Sequence, residues 1–184
     1  MSPTTDAFRG ALEAVDRIVN REAEADEVLR NVVAVLHDRF EHYSWVGIYL
    51  VEGDDLVLGP WRGPQATEHV RIPVGQGVCG AAAASGETEI VDDVNADPRY
   101  LACFPSTRSE IVVPITLEGR VVGEIDIDSD RPGTFTEDDR VLLERVPVLA
   151  AARRELAQHL ARRRVHDPRL GIAEGGRLRS ASSR

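Results

Sequence analysis

The segment that most constrains the fold is SEIVVPITLEGRVVGEIDIDSD, residues 109–130. Apolar and other residues alternate on both sides of its central Glu-Gly pair, which is typical of two strands joined by a tight turn. Successive side chains of a strand point to opposite faces, so the two apolar sets must share one buried face, and this requirement fixes the register. We expect Ile111 opposite Ile127, and Leu117 opposite Val121 across either a three-residue loop or a two-residue turn with a bulge.

The same register brings three carboxylates together on the other face of this hairpin. Glu110 is expected opposite Asp128, and Asp126 opposite Val112. Carboxylates that face each other across a strand pair repel, so water screens them, a cation lies between them, or one of them is protonated. A water-exposed surface is the simplest interpretation. Val112 and Pro114 make the face partly apolar, however, and such a mixed face also suits a small ligand that carries an ammonium group.

The rest of the chain adds helices and shorter strands around this hairpin. Residues 6–20 and 24–40 space their apolar side chains as helices do. Several short strand-like segments and an alanine-rich helical turn follow, and a long helix begins after the hairpin at Thr136. Hairpins dominate this order. The sequence therefore predicts an α+β fold with a mostly antiparallel sheet of about six strands and helices packed on one face.

Chain length and local composition predict one domain and a tail. Residues 1–165 of the 184 are expected to form a single domain. The last helix is expected to reach about residue 164, with Pro147 as a kink or a joint. Residues 166–184 are rich in Gly, Ser and Arg, a composition typical of disorder. The terminal helices offer a surface through which a homodimer could form.

Charge and composition exclude several classes of function. The net charge is −9, and because residues 151–184 carry +6, the remaining 150 residues carry −15. An acidic body argues against nucleic-acid binding. The chain contains no lysine, which excludes a Schiff-base lysine and a Walker-type phosphate lysine. We find no signal peptide and no apolar stretch long enough to span a membrane, so a cytoplasmic location without a membrane partner is expected.

The chain has two cysteines, Cys79 and Cys103. Cys79 is expected at the start of a short helix, where the helix N-terminus lowers a thiol pKa and favours the reactive thiolate. Cys103 is expected in a loop, exposed and open to reaction. The spacing of the two residues matches neither a CxxC motif nor a zinc site, so no metal is predicted. Two unrelated half-buried thiols are the alternative.

Five segments of the chain together carry a family resemblance: WVGIYL, LVLGPW, RIPVGQGVCG, YLACFPSTRSEIVVPI and GEIDIDSDRPGTFTEDD. Over roughly residues 10–150 the chain resembles the free methionine-(R)-sulfoxide reductases, which are single GAF domains. The resemblance implies the GAF fold, with a ligand pocket on the sheet face opposite the terminal helices. Since most GAF domains are ligand sensors, the fold alone is a weak indication of function.

The resemblance also implies a mechanism without a cofactor. In that family a cysteine attacks the sulfoxide sulfur of free methionine-(R)-sulfoxide and becomes a sulfenic acid, a second cysteine condenses with it, and thioredoxin reduces the disulfide. By motif, Cys103 corresponds to the nucleophile and Cys79 to the resolving thiol. Tyr49 and Trp61 correspond to pocket walls. Three acids correspond to the substrate-binding and catalytic carboxylates: Glu110, Asp126 and Asp128.

One departure from the family pattern concerns His69. The related reductases often have a third cysteine ten residues before the cysteine of GVCG, and His69 occupies that position here. This replacement removes one route to a disulfide. Two other functions stay open on the sequence: a GAF module that binds a small molecule and signals through its terminal helices, and a thiol redox switch that has no substrate.

Overall fold

The computed structural model describes residues 3–20 and 25–146. The described residues form four helices: α1 (Pro3–Val19), α2 (Ala25–Arg39), α3 (Gly77–Ser85) and α4 (Glu137–Arg145). They also form six strands: β1 (Trp45–Glu52), β2 (Asp55–Arg62), β3 (Arg71–Pro73), β4 (Glu89–Val91), β5 (Ser109–Leu117) and β6 (Arg120–Ser129). None of the described helices has the length and apolar character needed to cross a membrane. The predicted extension of the last helix, its joint at Pro147 and the tail 166–184 lie outside the described residues.

The strands form one antiparallel sheet in the order β3-β2-β1-β6-β5-β4. The predicted α+β architecture with an antiparallel six-stranded sheet is therefore confirmed. The long hairpin of β5 and β6 is central, because β1 pairs with the free edge of β6 and β4 pairs with that of β5.

The two faces of the sheet are covered by different elements. The helices α1, α2 and α4 pack on one face, here called the helix face. Its core is apolar and includes these residues: Val15, Val32, Leu36, Ile48, Ile111, Ile125, Ile127, Leu142 and Leu143. The opposite face is covered by α3 and by the loop of residues 92–108, whose buried side chains form a second core. The terminal helices lie on one face as predicted, and this second core covers the face on which a ligand pocket was predicted.

The hairpin follows the predicted register except near its turn. Ile111 is opposite Ile127 as expected, but Leu117 is opposite Arg120 rather than Val121. Of the two predicted connections, the two-residue turn with a bulge is the one present: both turn residues have positive φ, and the bulge absorbs the extra residue. As a result Val122, and not Val121, contributes to the core of the helix face.

Candidate functional site

The carboxylates of the hairpin lie next to one another, in the predicted register. Glu110 of β5 is opposite Asp128 of β6, and Val112 is opposite Asp126. All three acids are buried, with at most 4% of any of them exposed. The interpretation of this face as a water-exposed surface is therefore wrong, because α3 and the loop of residues 92–108 cover it.

A fourth buried carboxylate, Glu124, is not among the residues predicted from sequence. It precedes Asp126 by two positions on β6, is fully buried and is opposite Tyr49 of β1. The alternation along β6 that places Asp126 on this face also places Glu124 there, so the signal was present in the sequence. The four carboxylates are called the acid face below: Glu110, Glu124, Asp126 and Asp128.

Within the described residues, the buried acid-face carboxylates lack most of the hydrogen bonds and all of the ion pairs that buried charges normally need. Six of its oxygen atoms have no hydrogen-bond partner among the described residues: Glu110 Oε2, both oxygens of Glu124, Asp126 Oδ1 and both oxygens of Asp128. None of the ion pairs formed by residues 3–20 and 25–146 involves these acids. Burial raises the pKa of Asp126 to about 7. Burial, and then the charge of Asp126, raises the pKa of the other three well above the ordinary range.

Cys79 lies in the first turn of α3 and is buried against the acid face. A Cβ on the following residue, Gly80, would lie 2.6 Å from the carbonyl oxygen of Pro73. The absence of a side chain at Gly80 therefore lets the first turn of α3 pack against the backbone at the end of β3. The Cys79 Sγ donates a hydrogen bond to Glu110 Oε1 at 3.6 Å. Burial raises the pKa of this thiol well above its ordinary value, and the acid-face charges raise it further. The predicted lowering of the pKa is therefore wrong, because burial beside carboxylates outweighs the helix N-terminus.

Cys103 lies in the loop of residues 92–108 and is half-buried rather than exposed. Its Sγ donates to the carbonyl oxygen of Leu101 at 3.4 Å, and burial, followed by the charge of Asp126, raises its pKa. The loop packs on the start of α3, since a Cβ on Gly77 would lie 2.8 Å from Leu101 Cδ1. Both cysteines are free thiols. They approach the same carboxylates from two elements that touch each other.

The aromatic residues beside the acid face form two layers. Tyr49 is fully buried, and its hydroxyl donates to the carbonyl oxygen of His69 at 2.9 Å. Trp61 is 38% exposed and stacks on Trp45, with ring centroids 6.1 Å apart. Trp45 is buried and also packs against Phe104 of the loop, at 5.8 Å. Trp61 thus forms the outer layer, and Trp45, which the sequence pattern did not indicate, forms the inner one.

His69 borders the loop that carries Cys103. Its Nε2 lies 3.2 Å from the carbonyl oxygen of Ala102, the residue directly before Cys103. The backbone N–H of His69 donates to Thr67 Oγ1 at 3.1 Å. The position at which related reductases often carry a third cysteine is therefore adjacent to the Cys103 loop in this fold.

Two surface clefts among the described residues lie away from the acid face. One of about 470 Å³ lies between α4 and β5, and another of about 550 Å³ lies beside the end of α3. Neither is lined by a cysteine or by an acid-face carboxylate. The acid-face carboxylates are buried beneath α3 and the loop of residues 92–108, so a ligand would enter by displacing part of this cover, and the loop is the part without regular secondary structure.

One group of side chains on this face could hold a metal ion. The Sγ of Cys79 and one carboxylate oxygen each of Glu110 and Asp126 lie within 4.8 Å of one another. The spacing of the two cysteines along the chain predicted no metal site, and only the fold brings this thiol beside the carboxylates.

Comparison with known proteins identifies relatives of this architecture. The model of the GAF domain family matches residues 24–153. The free methionine-R-sulfoxide reductase of Escherichia coli (strain K12) is 43% identical over 111 residues, which cover 60% of this chain and 66% of that protein.

Two solved structures extend the match to the fold. The X-ray structure of free methionine-R-sulfoxide reductase from Neisseria meningitidis in complex with its substrate has a TM-score of 0.77 and 39% identity, and the match covers 87% of this chain and 95% of that one. The type II free methionine-R-sulfoxide reductase from Thermoplasma acidophilum has a TM-score of 0.65 and 38% identity, over 68% of this chain and 92% of that one. The chain therefore belongs to the GAF domain family and, within it, to the free methionine-R-sulfoxide reductase family.

Proposed function

We propose that this chain reduces free methionine-(R)-sulfoxide to methionine. The observation that carries the proposal is that a buried thiol and a half-buried one lie beside carboxylates that have no counter-charge among the described residues. A free amino acid brings an ammonium group that would neutralise part of the acid face, whereas a peptide-bound residue has no such group. The family to which the chain belongs supports the same substrate.

In the first step, the Cys103 sulfur attacks the sulfoxide sulfur. The sulfoxide oxygen is transferred to Cys103: an S–O bond to the cysteine sulfur forms, the S–O bond of the sulfoxide breaks, and the thiol loses its proton while the oxygen gains one. Methionine leaves as the thioether, so a thiol and a sulfoxide become a sulfenic acid and a sulfide. The sulfoxide oxygen needs a proton donor as its bond to methionine breaks. Glu110 and Asp128 are suitable donors, because burial and then the charge of Asp126 raise their pKa values and so favour the protonated carboxyl.

In the second step, the Cys79 sulfur attacks the sulfenic sulfur of Cys103. A disulfide forms, the S–O bond breaks and water leaves, so the two thiols together supply the two electrons. Glu110 already accepts a hydrogen bond from the Cys79 thiol and can receive its proton. A disulfide requires Cα atoms within about 7 Å, and the contact between the Cys103 loop and the start of α3 favours that approach.

A dithiol protein of the thioredoxin class would return the disulfide to two thiols. Because His69 replaces the third family cysteine, Cys79 is the one remaining intramolecular partner for the sulfenic acid. The cycle then needs the Cys103 loop both to open for substrate and to close onto α3.

Methionine release from each epimer of free methionine sulfoxide, with a thioredoxin system as reductant, tests the proposal. We expect turnover of the R epimer and little turnover of the S epimer, with Cys103→Ser as the inactive control. Binding of the R epimer without release of methionine would contradict the proposal and favour a ligand sensor. A preference for the S epimer would contradict it as well.

A further inference from the structure

Three metal-ligating side chains meet where Cys79 touches the acid face. The Cys79 Sγ and one oxygen each from Glu110 and Asp126 lie within 4.8 Å of one another, and all three residues are at least nine-tenths buried. The carboxylates of this group include Glu110 Oε2 and Asp126 Oδ1, which have no hydrogen-bond partner among the described residues. The group therefore combines a thiol with buried acceptor atoms to which none of the described residues donates a hydrogen bond.

The spacing of this group fits a small tetrahedral cation. Zinc binds thiolate sulfur at about 2.3 Å and carboxylate oxygen at about 2.0–2.2 Å, which places two such ligand atoms about 3.5 Å apart. The distance from Cys79 Sγ to Glu110 Oε1 is 3.6 Å. One edge of a coordination tetrahedron is thus present, and a small shift of Asp126 would complete a three-ligand face with the fourth position open to water.

The donor set also indicates which cation would bind. A thiolate ligand favours Zn²⁺ and similar borderline ions over Mg²⁺ and Ca²⁺, which require six or more oxygen ligands. A dication would neutralise carboxylates that form no ion pair within the described part of the chain. Cation charge and ligand type therefore point to the same class of ion.

We propose that Cys79, Glu110 and Asp126 form an inhibitory binding site for Zn²⁺. Binding releases the Cys79 proton and forms a metal–sulfur bond, with no change of oxidation state. The bound thiolate is then unavailable to attack Cys103, and the cation occupies the carboxylates that a substrate ammonium would contact. The binding itself is independent of the reaction, whereas the inhibition rests on the proposed function.

Cobalt(II) titration of the reduced full-length chain tests the binding without reference to activity. We expect about one Co²⁺ per chain, with the visible spectrum of a tetrahedral ion and a sulfur-to-cobalt charge-transfer band. Cys79→Ser should remove that band and lower the affinity by about 10²-fold or more, since losing even outer-shell support costs about 10–100-fold. Asp126→Asn gives a second variant at the same site.

Cys103→Ser is the matched control, because it removes the other thiol and keeps the three ligands. Retention of the cobalt spectrum in Cys103→Ser, with its loss in Cys79→Ser, supports the site. A spectrum that needs Cys103 and survives without Cys79 would overturn it, and so would the absence of a sulfur-to-cobalt band in the unsubstituted chain.

Zinc inhibition is then measured against free methionine-(R)-sulfoxide. We expect Zn²⁺ to raise the apparent KM for this substrate, and a chelator to restore it, while Mg²⁺ at the same concentration has no effect. Zinc binding that leaves KM and kcat unchanged would overturn the inhibitory role. A chain that binds cobalt as expected but never releases methionine would refute the proposed function and leave the metal site standing.

Discussion

The two faces of the sheet both bury carboxylate groups, and they do so in opposite ways. On the helix face, Asp139 accepts hydrogen bonds from the Thr136 backbone N–H at 2.8 Å, the Thr136 hydroxyl at 2.7 Å and the Tyr43 hydroxyl at 2.9 Å. The Nε2 of His42 lies 3.0 Å from the same carboxylate. On the acid face, six buried carboxylate oxygens have no partner among the described residues.

The difference in partners produces a difference in pKa. Burial alone would raise the pKa of Asp139, but its hydrogen bonds, led by those from His42 and Thr136, lower it below the ordinary value. On the acid face burial acts almost unopposed, and the pKa values rise. The fold itself stabilises a buried carboxylate that has a full set of hydrogen-bond donors. The acid-face carboxylates are stabilised only when a cation or protons neutralise their charge.

The largest effect is expected from removing the nucleophile beside the acid face. Cys103→Ser should abolish methionine release even in a single turnover. Cys79→Ser should still release about one methionine per chain and then stop, with Cys103 left as a sulfenic acid that is open to further oxidation. Methionine quantified without reductant, with mass spectrometry of the protein, measures both. The reverse pattern would mean that the two roles are assigned backwards.

The second-largest effect on activity is expected from replacing acid-face carboxylates, and replacing Asp139 on the other face is the comparison. Glu110→Gln and Asp128→Asn should each lower kcat/KM by about 10²–10⁴-fold, because each removes a proton donor or a partner for the ammonium group. Asp139→Asn, assayed well below its unfolding temperature, should leave kcat/KM close to that of the unsubstituted chain. If Asp139→Asn reduced kcat/KM as much as the acid-face variants, the functional difference between the two faces would be refuted.

For the free energy of unfolding, the larger loss is expected from the variant on the helix face and not from the variant on the acid face. Asp139→Asn should lower the free energy of unfolding by about 1–3 kcal/mol, because it weakens the hydrogen bonds to a buried group that holds the start of α4. Glu124→Gln should not lower that free energy, since it replaces a buried acid that has no hydrogen-bond partner among the described residues by an uncharged group of similar shape. Urea unfolding monitored by circular dichroism distinguishes the two outcomes. A greater loss in Glu124→Gln would contradict the account.

The smallest effect concerns pH. The pKa of Asp126 is about 7 in the folded chain and about 4 when unfolded, so the folded state binds the extra proton between these values. Stability from this group is complete below pH 4 and is lost as the pH rises through 7. From pH 6 to pH 8, which covers only the last part of a loss that begins near pH 4, the free energy of unfolding should fall by about 1.4 kcal/mol through this group. Asp126→Asn should reduce this fall, and an unchanged slope in the variant would contradict the assignment.

The sequence predicted the arrangement of the hairpin because one rule, the alternation of side chains between two faces, determines its register. That rule alone is enough to bring Glu110, Asp126 and Asp128 together on one face. The bulged two-residue turn was one of its two alternatives, but the pairing of Leu117 with Val121 was wrong, because the bulge shifts the register by one residue and moves Val121 away from the helix-face core. Applied to every residue of β6, the same rule would also have identified Glu124.

The direction of the Cys79 pKa shift could not be predicted from the neighbouring sequence alone. Its position at a helix N-terminus predicts a lower pKa, but the thiol is buried and contacts a carboxylate 31 residues further along the chain. Desolvation and charge from such distant residues depend on the tertiary fold. The same holds for the inner aromatic position of Trp45, which depends on the packing of Phe104 from the loop.

Under the proposed function, the ammonium group of a free amino acid neutralises part of the acid face while the thiols reduce the sulfoxide of the same molecule. The most direct test of this claim is the ratio of kcat/KM for free methionine-(R)-sulfoxide to that for the N-acetyl derivative, which has the same sulfoxide and no ammonium group. The account predicts that acetylation lowers kcat/KM by about 10²-fold or more, because the buried carboxylates then keep no counter-charge. Equal values for the two substrates would contradict the claim.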